Sequence, residues 1–418
     1  MSKGKIKKIK AREILNSKGE PTVEVELQTE KGIFFAKAPA GTSKGKYEAL
    51  EIRDGGKRYK GKGVLKAVEN VNKIIAPEIV GKNPANQKEI DKILIELDGT
   101  ENKSKLGSNA LLPVSIAVSR AGSAEKGIPL FLHLSHLSGN KISSSFKMPF
   151  PCFNMINGGA HAGNNLDIQE FMVIPQEKSF AENLRKGSEI YHTLAEFLEK
   201  KYGKFFTNVG DEGGFVPQFS DTFSALNAEI SAIKKTCPNN NVKIGIDCAS
   251  THFYKEKKYK LEGTFFTKEG LLAFYEDLVK KYPIIFLEDP FSQEDWDGFQ
   301  KIYQKLGKKI IIVGDDLLAS NPKRIKKAKE KNACNGLILK PDQIGTVSEA
   351  IESANLAKKY GWKIIVSHRS GDTCDDFIAD FAVGIGADFI KSGAPARGER
   401  TAKYNRLLKI EEELKNIK

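Results

Sequence analysis

The chain has 418 residues, 40% hydrophobic and 28% charged, with a formal net charge of +13. That length allows two domains with a core each, and the balance is that of an ordinary soluble globular protein. The positive charge raises nucleic acid or a membrane surface as a partner. Its lysines, however, are spread along helical stretches beside glutamates, as in KRIKKAKEK at 323–331, and read as solvated helix faces.

Five cysteines form no CxxC pair, which fits a reducing compartment and argues against a zinc site. The basic N-terminus MSKGKIKKIK has no apolar core of the signal-peptide kind. No stretch approaches the roughly 18 apolar residues of a membrane helix, so a cytoplasmic protein is expected.

In chain order, residues 6–38 read as a β-meander. Within it, Val23, Val25 and Leu27 alternate with Glu24, Glu26 and Gln28. Helical periods at 64–75, 87–97 and 109–125 complete an α+β domain. The serine-rich segment 135–145 is the best boundary, giving domains 1–136 and 137–418. Beyond it come two strand-like runs, 150–156 and 168–174, with no helix between them, then helices at 179–202 and 221–235. Strand and helix then alternate six times, with strands starting near Lys243, Ile284, Ile310, Gly336, Lys363 and Phe389. Eight strands favour a closed α/β barrel over an open doubly wound sheet, and no GxGxxG follows a strand. An amphipathic helix at 400–415 ends the chain.

Several of these strands end in a charged residue. IIFLE runs into Glu288 before Pro290 stops it, KIGI ends in Asp247, IIIVG in Asp315, and GLIL in Lys340. Carboxyl ends of barrel strands are where such folds build sites. Three converging carboxylates repel unless a cation joins them, and hard oxygen donors suit Mg²⁺. Lys340, beside a metal and Lys391, is expected to have its pKa lowered toward that of a usable base. The SHRSG run places His368, Arg369 and Ser370 where an oxyanion, especially phosphate, can be held. Glu212 in NVGDEGG and Glu170, read as closing another strand, form an acid pair in which one pKa rises to give a general acid. Two glycine-rich loops, 39–45 and 157–163, read as mobile, with His161 in a lid. The first imitates a phosphate-binding P-loop but is one residue short, with Tyr47 where a Ser or Thr must bind Mg²⁺.

Taken together with IELDGTENKSKLG, QEFM, DCAS, LEDPF, GDDL and KSGAPARGERTAKYN, these motifs resemble the enolase family along essentially the whole chain. The resemblance implies an eight-stranded barrel whose second strand is antiparallel, capped by an α+β domain with a three-stranded antiparallel meander. It implies reversible dehydration of 2-phosphoglycerate to phosphoenolpyruvate through an ene-diolate, with two Mg²⁺ per site during turnover. Asp247, Glu288 and Asp315 would hold the first ion and Ser43 the second. Lys340 would be the base, with Glu212, assisted by Glu170, the acid. Arg369 and Ser370 would hold the phosphate and Lys391 the carboxylate, with His161 and His368 touching substrate. Homodimers or octamers are the family's usual assemblies.

Two departures stand out: Ala40 and Thr42-Ser43-Lys44 in the metal loop, and Pro341-Asp342 after the base, where Val-Asn is common in the family. A different class of reading is a basic nucleic-acid or surface-binding protein on the same fold, to which the net charge and, weakly, the C-terminal Lys418 (as in plasminogen-binding relatives) point. Salt-sensitive retention on nucleic acid separates it from an enzyme. A superfamily member acting on another carboxylate fits SHRSG and the Ser43 loop less well.

Overall fold

The computed structural model describes residues 4–42, 45–140, 146–238 and 241–416. Ser43, the 141–145 part of the serine-rich segment and Lys418 lie outside the described residues.

The meander forms as its alternation predicts: β1 (Lys8–Leu15), β2 (Pro21–Gln28) and β3 (Ile33–Lys37) pair antiparallel in sequence order. Val23, Val25 and Leu27 of β2 are fully buried, while Glu24 and Glu26 take ion pairs with Arg12 on the opposite face. Helix Ser108–Lys126 lies against β2 and β3. Ala110, Ser115, Ala117, Ser119 and Ala121 are buried along it, and side chains this small allow close approach to the sheet. Arg120 on this helix reaches across to the second domain, 2.8 Å from Asp375 and 2.9 Å from Asp376.

Eight strands close into a barrel. They are β4 (Phe150–Asn157), β5 (Glu170–Pro175), β6 (Val242–Asp247), β10 (Ile284–Glu288), β11 (Ile311–Gly314), β12 (Gly336–Leu339), β13 (Lys363–Ser367) and β14 (Phe389–Lys391). Between β6 and β10 a small antiparallel sheet intervenes, of β7 (Tyr254–Lys255), β8 (Lys258–Leu261) and β9 (Thr264–Phe266), which the alternation of strand and helix did not anticipate.

Strand β5 runs antiparallel to both β4 and β6, and every other neighbouring pair is parallel. This reversal corrects one expectation. Glu170 opens its strand rather than closing it, and it reaches the carboxyl-end mouth because β5 points the other way, with Glu170 opposite Asp247.

The barrel interior is a packed layer of Cys152, Met172, Ile174, Phe286, Val313, Ile338, Ile365 and Phe389. β6 contributes Gly245 beside the Phe286 ring, and a Cβ there would collide with that ring. Burying such an aromatic ring stabilises by roughly 1.5–3 kcal/mol, so the missing side chain on one strand accommodates the large one on the next. Charged groups begin two residues further along the strands, at Asp247, Glu288 and Lys391.

Candidate active site

The site is assembled from strand ends. Asp247, Glu288 and Lys391 are the last residues of β6, β10 and β14, while Asp315 and Lys340 directly follow β11 and β12. The turn after β10 aims one of its neighbours. Asp289 adopts a left-handed backbone (φ 40°), tolerable for Asp. Its two carboxylate oxygens accept from the backbone N–H groups of Asp315 (3.0 Å) and Asp316 (2.7 Å). A residue that sequence reading passed over thus ties the ends of β10 and β11 and orients Asp315; its signal was the LEDP run itself.

Lys391 lies among the carboxylates, with Nζ 2.8 Å from Glu288, 3.1 Å from Glu170 and 3.5 Å from Asp247. Lys340 Nζ donates to Asp315 Oδ2 at 2.5 Å. The three acids therefore do not close on one another as expected. Among the described residues, the acid and histidine group whose ligand atoms lie within 4.8 Å of each other is His161, Glu170 and Glu212.

Lys340 is balanced by the protein charges around it. Burial acts to lower its pKa, and so do Arg369 and Lys391, but the Asp315 carboxylate outweighs them and holds the ammonium above its ordinary range. Burial and the Asp247 charge push Glu288 well above the usual carboxylate range. Such crowding of fully buried oxygen donors is what a hard divalent cation relieves, so Asp247, Glu288 and Asp315 fit a metal of that class.

Opposite Lys340, His161 Nδ1 faces Glu170 Oε1 at 3.6 Å and Glu212 Oε1 at 3.5 Å. His161 is buried, at the end of the short turn Gly159–His161 in its glycine-rich segment. The acid pair is split, as expected, but in the other sense. Burial and the charge of Glu212 drive Glu170 well up. Glu212, despite its burial, is drawn down by its two histidine neighbours, His368 and His161. Of the two carboxyls, Glu170 is the one driven toward its protonated form. Glu212 rides on a loop whose turn needs Gly213 (φ 83°), packed against Ala394 and Arg397.

The SHRSG segment follows β13. Arg369 Nη1 is clamped between Glu48 Oε2 (2.8 Å) and Asp342 Oδ2 (2.7 Å), so the first domain and the Pro341-Asp342 departure both converge on this guanidinium. Ser370 Oγ accepts from Thr42 N at 2.9 Å, and Ala40 pairs with Gly371, which holds residues 40–42 of the first glycine-rich loop against SHRSG. On the far side of that loop, Arg324 stacks 3.7 Å over the Tyr47 ring. Tyr47, wrong for a P-loop, is a packing anchor here. Lys18 bridges Asp211 (2.6 Å) and Thr42 (2.7 Å) at the rim, beside a cleft of about 620 Å³ that reaches His161.

Sequence reading also missed Arg400, which is fully buried. It donates to His368 Nδ1 (2.6 Å) and to the carbonyls of Arg369 (2.7 Å), Ser370 (2.6 Å) and Asp211 (3.0 Å). Its place in GERTAKYN gave no local hint, since these partners lie at least 30 residues away.

One enclosed space is lined by His161, Glu170, Glu212, Asp247, Lys340, His368, Arg369, Ser370 and Lys391. An amine, several carboxyl groups and a guanidinium lining one space are the equipment of a barrel enzyme that takes a proton from beside a carboxylate. Comparison with known proteins narrows this class. Residues 6–134 match the family model for the enolase N-terminal domain, and 145–418 that for the enolase C-terminal TIM barrel domain. The chain is 52% identical to enolase B of Dictyostelium discoideum, covering 99% of this chain and 96% of that protein. It is 52% identical to an enolase of Thermococcus gammatolerans (97% and 94% covered) and 51% to one of Methanopyrus kandleri (98% and 96%). The chain belongs to the enolase family. Binding of nucleic acid or of a surface gains no support from these matches.

Proposed function

We propose that this site carries out the phosphopyruvate hydratase reaction of glycolysis, the reversible dehydration of 2-phosphoglycerate to phosphoenolpyruvate. The observation that carries the reading is that Lys340 and the Glu170–Glu212 pair line one common space. Lys340 Nζ removes the C2 proton once the charge of Asp315 is engaged elsewhere. The substrate carboxylate, which gains charge as that proton leaves, is met by the Lys391 ammonium. When bound, Mg²⁺ held by Asp247, Glu288 and Asp315, with a second ion through Ser43, supplies positive charge to that carboxylate. Arg369 and Ser370 hold the phosphate, and His161 and His368 line the substrate.

The C3 hydroxide is a poor leaving group and departs as water. The proton it needs enters the site on Glu170 and is delivered from Glu212, with His161 between the two carboxyls. Base and acid on opposite faces give an anti elimination.

A cytoplasmic homodimer or octamer is the setting we assign to this activity. The five cysteines, all free, agree with a reducing compartment, and no helix among the described residues is long and apolar enough to cross a membrane.

Ultraviolet absorbance of the protein with 2-phosphoglycerate and Mg²⁺ tests the reaction. A rise from the enolpyruvate chromophore that EDTA abolishes is expected; a flat trace from folded protein in excess Mg²⁺ refutes the assignment.

A further inference from the structure

Arg400 stands on the first turn of helix Gly398–Asn416 and touches neither the space where substrate would lie nor any carboxylate at hydrogen-bond distance. Its nearest acids, Glu399 and Asp372, are 3.5 and 3.9 Å away. Room for it is made by Gly393, where a Cβ would come within 2.8 Å of Arg400 Cδ. All its strong contacts go to two loops, the one holding Glu212 and the one holding His368, Arg369 and Ser370.

The contact with His368 carries chemical information. A guanidinium has five N–H donors and no acceptor. At 2.6 Å from Arg400 Nη1, His368 Nδ1 must therefore present a lone pair. Burial lowers the His368 pKa to about 4, so the ring is neutral near pH 7 and its single N–H is on Nε2. That nitrogen faces Glu212 Oε2 at 3.5 Å. The same oxygen already accepts from Asn154 Nδ2 at 2.9 Å. The opposite tautomer would set two donors against each other at Nδ1 and turn a lone pair toward a carboxylate.

We propose that Arg400 is a positioning residue that locks His368 in the Nε2–H tautomer, committing Glu212 Oε2 to accept hydrogen bonds and leaving Oε1 as the oxygen that carries the transferable proton. Oε1 is the atom that faces His161. The assignment of a proton to Glu212 rests on the function proposed above, whereas the tautomer of His368 does not.

Two measurements test this. Solid-state ¹⁵N spectra of histidine-labelled wild-type protein, with His368 assigned by comparison with His368→Asn, are expected to show a protonated Nε2 and an unprotonated Nδ1. The reverse pattern overturns the proposal. In Arg400→Ala, dehydration kcat is expected to fall roughly ten- to hundredfold, the scale of a misplaced general acid. KM should change little, exchange of the C2 proton by Lys340 should persist, and guanidinium added far below denaturing concentration should restore part of kcat. A folded Arg400→Ala with wild-type kcat, or with kcat and proton exchange lost together, refutes the positioning role. If Arg400→Ala does not fold, the wild-type spectrum alone decides. Failure of wild-type protein to exchange the C2 proton at all would instead defeat the functional assignment and leave the tautomer result standing.

Discussion

Lys340 Nζ and Asp315 Oδ2 are 2.5 Å apart, joining the ends of two adjacent barrel strands. Under the proposed function the pair couples the base to a metal-binding carboxylate, because the charge that holds Lys340 protonated is the charge a cation would claim. Lys340→Ala is expected to abolish exchange of the C2 proton of 2-phosphoglycerate into D₂O, followed by NMR, while Glu212→Gln keeps some exchange and loses dehydration. Normal C2 exchange in Lys340→Ala would show that the base is elsewhere.

Removal of the metal should silence the enzyme and soften the fold around the mouth. Asp247, Glu288 and Asp315 are buried, so a divalent cation that binds them only in the folded state raises the melting temperature in proportion to the logarithm of its concentration. Added Mg²⁺ is expected to raise the midpoint in the wild type and much less in Asp247→Asn. An equal rise in both proteins would exclude this carboxylate set as the ion's site.

Asp342 should make substrate affinity depend on pH. Burial pushes its pKa up to about 6 despite the neighbouring Arg369. Below that pH Asp342 is neutral and its hold on Arg369 weakens while Glu48 keeps its own; above it, the Asp342 carboxylate competes with the substrate phosphate for the same guanidinium. The ratio of wild-type KM to that of Asp342→Asn is therefore expected to grow as pH rises through 6. Taking the ratio cancels titration of the substrate phosphate itself. A ratio flat from pH 5 to 8 would count against this competition.

Gly245→Ala tests the barrel interior. The new methyl meets the Phe286 ring, and overpacking of this kind costs about 1–3 kcal/mol. Denaturant unfolding should show that loss, and Phe286→Leu in the same background should recover part of it. Unchanged stability in Gly245→Ala would mean that the layer is looser than its burial suggests.

Much of this protein is legible locally. The IIFLE run stopped by Pro290, the alternation of β2 and the repeated strand–helix rhythm depend on neighbours along the chain, so the barrel, its strand-end acids and Lys340 could be read from residue order. Family motifs extended that reading to the histidines and to SHRSG.

What tertiary structure decided is of another kind. The antiparallel second strand was expected from the family resemblance, but it took the register of β5 to place Glu170, the first residue of its strand, at the mouth opposite Asp247. Arg400 reaches His368 from a helix 32 residues on. Protonation at Glu170 follows from burial and from charges brought together from distant parts of the chain, Glu212 and Asp247 driving it up and Lys391 opposing them. Sequence by itself determined which chemical groups stand at the barrel mouth; only the folded arrangement decided which of them hold protons, since electrostatic energy depends on separations through space and not along the chain.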